Sequence, residues 1–138
     1  KYRYEKQKKL KETQKKQREA NKDMKEYLAK GAKMPTAFFA DDDMIALGCI
    51  KAFQEAGYRV PEDISVASFD DLPFCEISSP RLTTIKVFKY EMGQIAVRRL
   101  IEVMKDGGKI NTKTQVCTEF VERDSVIDLN SASKEGGN

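Results

Sequence analysis

Short apolar runs alternate with amphipathic stretches along most of this chain. The runs are typical of buried strands, and we expect the strand at 36–40 to be buried on both faces. Four strands are predicted, at 36–40, 64–69, 82–87 and 116–121. Apolar residues spaced three and four apart predict helices over 44–56 and about 89–105. Strands and helices joined in this order by short loops predict an α/β fold built on a largely parallel sheet.

The first thirty residues differ from the rest in composition, because they contain neither Gly nor Pro and are rich in Lys, Gln and Glu. Apolar positions take up helical spacing only from Ala20, so a helix is predicted over 20–30. Residues 1–19 are predicted as a basic segment, helical or irregular, since a polar helix gains little from packing. We expect the main domain over 20–129 and a disordered tail over 130–138.

The net charge of +3 conceals a strong asymmetry. Residues 1–33 carry 13 Lys and Arg against 5 Asp and Glu, whereas the remaining 105 residues carry 12 against 17. A basic arm on an acidic body is a pattern to inspect for nucleic-acid contact. Because the arm offers few aromatic side chains for stacking on bases, we expect it to be a solvated helix face.

Several kinds of chemistry are disfavoured by what the sequence lacks. There is no His, which removes His-based catalysis and His metal sites. The three cysteines lie far apart without a CxxC spacing, so we expect no zinc site, no disulfide and a reducing, cytoplasmic compartment. No run approaches the roughly 20 apolar residues of a membrane span, and no glycine-rich phosphate loop occurs. We therefore predict neither a catalytic residue nor a cofactor.

Since residue 1 is Lys, we also expect the natural start of the protein to lie upstream of this chain.

Five carboxylates follow the first two predicted strands, at 41–43 and 70–71. Ligands of open parallel sheets bind beyond the carboxyl ends of the strands, so these residues are the first candidates for a site. Asp43 is predicted to cap the helix that follows. The other carboxylates could hold Mg²⁺ in a phospho-acceptor domain, with help from Thr83, Thr84 and Lys86. They could equally accept hydrogen bonds from the hydroxyls of a sugar or a ribose, and the spacing does not choose between the two.

A series of motifs, in order and at matching spacing, resembles the C-terminal part of the lactose/galactose-repressor (LacI/GalR) family of bacterial regulators. The motifs are Pro35-Thr36-Ala37-Phe38-Phe39-Ala40, Asp42-Asp43 with Ala46-Leu47-Gly48, Val60-Pro61-Glu62-Asp63-Ile64-Ser65-Val66, Phe69-Asp70-Asp71, Pro80-Arg81-Leu82-Thr83-Thr84-Ile85, Met92-Gly93 and Glu122-Arg123-Asp124-Ser125-Val126. The resemblance runs from about residue 20 to residue 126, and residues 1–19 have no place in it.

The resemblance implies one lobe of a periplasmic-binding-protein-like (type I) effector-binding core. In such a core a small effector, a sugar or a purine-like molecule, binds between two α/β lobes, and the helix at 89–106 belongs to the other lobe. Closure of the lobes changes the affinity of a separate N-terminal domain for operator DNA. This chain would then be the effector-sensing and dimerisation lobe of a homodimeric regulator. Such a regulator is cytoplasmic and does not contact a membrane. The alternative within the fold is an exported sugar-binding protein of a transporter.

The resemblance also nominates effector-binding residues. Asp42 stands where the family usually has Asn, Asp70 matches an acidic residue that commonly binds effector hydroxyls, and Lys89 can line the cleft from the other lobe. An ionised Asp only accepts hydrogen bonds, so Asp42 and Asp70 together favour a neutral, hydroxyl-rich ligand over an anionic one. We also expect two neighbouring carboxylates to raise the pKa of one of them.

A dimer interface is implied at four further positions. Leu47 and Lys51 lie on the helix predicted at 44–56, and Phe74 and Ile77 lie on the following loop. That helix is apolar on more sides than one packed face requires, which is a second indication of an additional buried surface.

Overall fold

Among the residues that the structure describes, four strands form one sheet, the first three of them parallel and the last antiparallel, in the order β1-β2-β3-β4. Their bounds are Ala37–Phe39, Ser65–Asp70, Thr83–Lys86 and Glu119–Val121. The structure is a computed structural model that describes residues 2–31, 33–107 and 111–129. It confirms the predicted α/β class and the largely parallel sheet. The tail predicted over 130–138 lies outside the described residues.

Within the described part of the chain four helices accompany the sheet, and one of them is much longer than predicted. Their bounds are α1, Tyr2–Ala29; α2, Asp43–Glu55; α3, Phe74–Ile77; and α4, Lys89–Asp106. The short α3 lies in what we expected to be a loop. Helix α1 is continuous through 2–19, and from Lys16 onward it packs along α2, where Lys16 binds Asp42 and Asn21 donates to the Gly48 carbonyl oxygen. Gly48 permits the close approach, since a Cβ there would lie 2.9 Å from Ala20 Cβ.

The core lies between α2 and one face of the sheet. Ala46, Ile50 and Phe53 project from α2 at helical spacing and are buried against β2 and the start of β3. The Phe53 ring packs on Phe38 of β1, with ring centroids 5.0 Å apart. Alternation along the strands therefore places Phe38 toward α2.

The prediction that the first strand is buried on both faces is wrong. Phe38 packs into the core, but Ala37 is exposed and Phe39 is 62% exposed. The register pairs Phe39 with Ala67, so both lie on the face of the sheet opposite α2. No helix covers that face at β1 in the described part of the chain, and a short apolar run cannot reveal this.

Helix α4 is amphipathic but keeps its apolar side exposed. Tyr90 is 74%, Val97 58% and Met104 75% exposed. Among the described residues α1 and α2 pack closely together, whereas α4 makes no comparable contact with another helix or strand. The helix ends before Gly107, which has a φ of 68°, close to the predicted end at about residue 105. Its assignment to a second lobe stays a prediction.

Candidate functional site

The three residues nominated for ligand binding line one cleft of about 610 Å³. Asp42 follows β1, Asp70 ends β2, and Lys89 begins α4, so all three lie at the carboxyl edge of the sheet. Helix α1 forms the opposite wall, which the sequence did not predict. The remaining lining residues are Glu12, Thr13, Lys15, Lys16, Glu19, Met44 and Leu72.

Asp42, and not Asp43, caps α2. One Asp42 carboxylate oxygen accepts hydrogen bonds from the Met44 N–H at 2.8 Å and the Ile45 N–H at 3.4 Å. The other oxygen accepts from the Lys16 ammonium at 2.8 Å. The capping role assigned to Asp43 was therefore wrong by one residue. Asp42 combines the cap with a place in the cleft wall.

The surroundings of Asp42 stabilise its ionised form. Partial burial by itself would raise the pKa of this carboxyl, but the hydrogen bonds from Lys16 and the Met44 N–H and the nearby Lys16 charge outweigh it. The pKa of Asp42 therefore lies below its usual range, and that of Lys16 lies above its own because of the same hydrogen bond. The pKa rise that we expected for one of two neighbouring carboxyls is not found at Asp42, whose pKa is lowered.

Asp70 forms the second ion pair of the cleft. Its carboxylate lies 3.0 Å from the Lys89 ammonium, and the two side chains are 30% and 54% exposed. The backbone here is unusual, because Asp70 has a φ of 117° and Asp71 a φ of 55°. Non-glycine residues rarely occupy this left-handed region, and such residues cluster at functional sites.

Asp43 has a buried role that the sequence did not predict. It is fully buried, and its carboxylate accepts from the Ser68 hydroxyl at 2.5 Å, the Thr84 hydroxyl at 2.7 Å and the Leu72 N–H at 2.7 Å. It thereby joins the start of α2 to both central strands. Ser68 and Thr84 are buried in β2 and β3, and a buried hydroxyl needs a hydrogen-bond acceptor, so these two residues were the signal in the sequence for a buried carboxylate.

The residues considered for a phospho-acceptor site are engaged otherwise. Thr84 donates to Asp43, the Thr83 hydroxyl oxygen accepts from the Arg123 N–H, and both threonines are fully buried. The Lys86 ammonium lies 5.5 Å from the centre of the Phe88 ring. Within residues 2–31, 33–107 and 111–129, no three His, Cys, Asp or Glu side chains come together as a metal site would require.

Arg123 also has a buried role that the sequence did not predict. Its guanidinium donates to the Asp71 carboxylate at 2.8 Å and to the Leu82 carbonyl oxygen at 2.9 Å. The Arg123 side chain is 9% and the Asp71 side chain 14% exposed. This nearly buried ion pair links the end of β4 to the turn after β2.

Neither Cys49 nor Cys75 offers an activated thiol. Burial, with a smaller effect of Asp23, raises the pKa of Cys49 to about 11. Burial also raises the pKa of the Cys75 thiol, and the neighbouring Asp43 carboxylate adds to this rise.

None of the described helices combines the length and apolar character of a membrane span.

The four positions nominated for a dimer interface lie on α2 and α3. Leu47 and Lys51 are one turn apart on α2, and the side chain of Gln54, a turn later, donates to the Ser79 carbonyl oxygen at 3.0 Å, just after α3. Phe74 and Ile77, the first and last residues of α3, are 39% and 81% exposed. The second apolar side of α2, which indicated an additional interface, is covered at least in part by α1 in this structure.

The comparisons with known proteins agree with this architecture. Residues 2–126 match the periplasmic binding protein-like domain, so the match includes α1. A curated relative, the HTH-type transcriptional repressor PurR of Photobacterium profundum, is 41% identical over 96 residues. Those residues make up 70% of this chain but only 29% of the relative.

Two solved structures show the same similarity in three dimensions. The Lac repressor dimer bound to operator and the anti-inducer ONPF is 31% identical, with a TM-score of 0.73, over 79% of this chain and 37% of that chain. A LacI family transcriptional regulator from Enterococcus faecium with bound ribose is 28% identical, with a TM-score of 0.69, over 80% of this chain and 40% of that chain.

Proposed function

Because the chain belongs to the periplasmic binding protein-like domain family, in its LacI/GalR branch, we propose that it is the C-terminal, effector-binding and dimerisation lobe of a bacterial transcriptional regulator and not an enzyme. The observation that carries the proposal is the cleft at the carboxyl edge of the sheet, where Asp42, Asp70 and Lys89 lie together. That edge is where open α/β sheets bind their ligands. The effector binds there, between this lobe and a second one.

The proposed effector is a neutral, hydroxyl-rich molecule, a sugar or a purine-like nucleoside. Asp42 and Asp70 are each paired with a lysine, so ligand hydroxyls can donate to the carboxylates and accept from the ammonium groups. A neutral ligand makes these bonds without bringing an unpaired charge into the cleft. The lysines also weaken the repulsion of anions that the carboxylates alone would impose.

The effector assignment is tested by calorimetry on the complete protein that contains this chain, with ribose first and then other neutral sugars and nucleosides. Asp70→Ala should reduce affinity by the equivalent of about 1.5–3 kcal/mol, the range for hydrogen bonds to a charged group. Asp124→Ala is the matched control, because Asp124 pairs with Arg81 at the other end of β3. Equal affinity in Asp70→Ala and wild type would remove Asp70 from the effector site.

Asp42→Asn separates the two roles of Asp42. Asn also caps helices well, so α2 should keep its start, and the side-chain oxygen still accepts hydrogen bonds. We expect neutral ligands to bind with little change and anionic ligands to be less disfavoured. Tight wild-type binding of a sugar phosphate would contradict the proposed ligand class.

The proposed partners are a second copy of the protein and, through a separate N-terminal domain, operator DNA. The dimer surface is formed by Leu47 and Lys51 of α2 with Phe74 and Ile77 of α3. Ile77→Asp is the sharper test, because Ile77 is 81% exposed, whereas Leu47 also packs against the core. A charge buried in an interface is strongly destabilising, so Ile77→Asp should lower the sedimentation mass to that of a monomer. Leu10→Asp, at an exposed leucine of α1, should not.

A regulator of this kind acts in the cytoplasm, whereas the alternative, a sugar-binding protein of a transporter, is exported. The curated relative PurR, a transcriptional repressor, favours the regulator. The complete protein should protect a defined operator, with an affinity that changes when the effector is added. The 138-residue chain alone should give no footprint, since a basic helix supplies only salt-sensitive, sequence-independent attachment.

A further inference from the structure

Two contacts from outside the turn hold the residues that follow Asp70, while Asp70 itself pairs with Lys86 in the β2–β3 ladder and with the Lys89 ammonium. Asp70 and Asp71 both have left-handed backbone conformations, which non-glycine residues adopt only where their surroundings impose them. On one side, the Leu72 N–H, directly after the turn, donates to the buried Asp43 carboxylate at 2.7 Å. On the other side, the Asp71 carboxylate accepts from Arg123 at 2.8 Å.

Arg123 is itself fixed by Leu82, which directly precedes β3, and by Thr83 of β3. Its guanidinium also donates to the Leu82 carbonyl oxygen, and its N–H donates to the Thr83 hydroxyl oxygen at 2.9 Å. The guanidinium therefore bridges the start of β3 and the turn after β2. With both partners at most 14% exposed, the Arg123–Asp71 pair is shielded from the solvent that weakens surface ion pairs.

We propose that Arg123 is a positioning residue for ligand binding, because its hold on Asp71 keeps the preceding Asp70 directed into the cleft. Arg123 is not among the cleft-lining residues and acts through the turn. This inference rests on the proposed function, since it takes Asp70 as a ligand-binding group. It predicts that Arg123 matters for affinity only while Asp70 is present.

A double-mutant cycle in the complete protein tests the coupling, with ribose as the calorimetric probe. Arg123→Gln should weaken ribose binding by about tenfold or more, as loss of an Asp70 hydrogen bond would. In an Asp70→Ala background, Arg123→Gln should have no further effect. Arg123→Lys should be intermediate, because a single ammonium cannot reproduce both arms of the guanidinium. If Arg123→Gln weakened ribose binding only by destabilising the protein in general, it would weaken binding in the Asp70→Ala background as well.

The matched control is the arginine–aspartate pair that contains Asp124, the residue next to Arg123. Arg81 binds Asp124 through two hydrogen bonds, 2.6 and 3.0 Å long, but both side chains are at least half exposed. Arg81→Gln should change ribose affinity by no more than about twofold. If Arg123→Gln does not fold, the double variant Arg123→Gln with Asp71→Asn replaces it, since it leaves no buried charge unpaired.

A second measurement on the 138-residue chain needs no ligand. In Arg123→Gln the Leu72 amide should exchange with solvent about tenfold faster, while the amides of the β2–β3 ladder keep their rates. Unchanged Leu72 exchange, or losses of ribose affinity that add in the cycle, would overturn the proposal. If Asp70→Ala binds ribose as the wild type does, the assignment of Asp70 to the cleft fails. If ribose is not bound, the cycle is run with the neutral sugar or nucleoside that calorimetry identifies, and the assignment of the cleft fails only if none of them binds. In each case the exchange rates decide whether Arg123 holds the turn.

Discussion

Helices α2 and α4 have similar sequence patterns and opposite surroundings. We call α1, α2 and the sheet with its loops the core region, and α4 the outer helix. In the core region α2 buries Ile50 and Phe53 against the sheet, while its Gly48 side lies against α1. The outer helix exposes Val97, Leu100 and Ile101, which its spacing places on an apolar side. Periodicity thus predicts a helix and its apolar side, but not whether anything covers that side.

The largest expected effect uses the same substitution in both helices. Ile50 is 3% and Ile101 47% exposed. Ile50→Ala should destabilise the chain by about 2–5 kcal/mol, because it removes buried methyl groups and leaves a cavity. Ile101→Ala should change stability by no more than about 0.5 kcal/mol. Urea unfolding of both variants gives the two free energies. Similar losses would show that the outer helix is packed in solution.

A pair of glycine substitutions tests the approach of α1 to α2. A Cβ at residue 48 would overlap the Gln17 carbonyl oxygen and Ala20 Cβ, so Gly48→Ala should cost about 1–3 kcal/mol. A Cβ at Gly93, in the outer helix, would meet no described atom within 4 Å. Gly93→Ala should therefore stabilise by about 0.5–1 kcal/mol through helix propensity. A thermal melt that ranks Gly48→Ala at or above wild type would mean that α1 does not pack along α2.

The smallest expected effect concerns acid stability of the core region. The carboxyl groups whose pKa is lowered by ion pairs lie there: Asp42, Glu55, Asp63 and Asp124. At Asp63 the hydrogen bonds from the Arg59 guanidinium and N–H lower the pKa from 3.8 to about 2. A pKa that is lower in the folded state adds stability above pH 3.8, and this stability is lost as the pH falls toward 2.

Asp63→Asn isolates that contribution. Its unfolding midpoint in urea should lie slightly below that of the wild type at about pH 6, and the two midpoints should converge as the pH falls toward about 2. A difference that stays constant over this range would assign the effect to packing rather than to the charge of Asp63.

The adjacent residues Asp42 and Asp43 show how far sequence reasoning reached into the site. The sequence predicted that carboxylates cluster at the carboxyl edge of the sheet, and the structure confirms that Asp42 and Asp70 share one cleft. The sequence could not tell which aspartate of the run 41–43 caps α2 and which is buried, because the two roles fall on adjacent residues and depend on where the helix begins. The structure makes Asp42 the cap and buries Asp43 among hydroxyl groups.

The amino-acid sequence by itself determined the α/β class, the order of the strands along the chain and the positions of α2 and α4. These depend on local periodicity and on glycine or aspartate at helix ends, which act over a few residues. Only the tertiary structure decided that α1 walls the cleft, that Lys16 pairs with Asp42 across 26 residues, and that Arg123 reaches Asp71 across 52. Contacts between distant residues depend on how the elements pack, and packing is not encoded in the spacing of any one element.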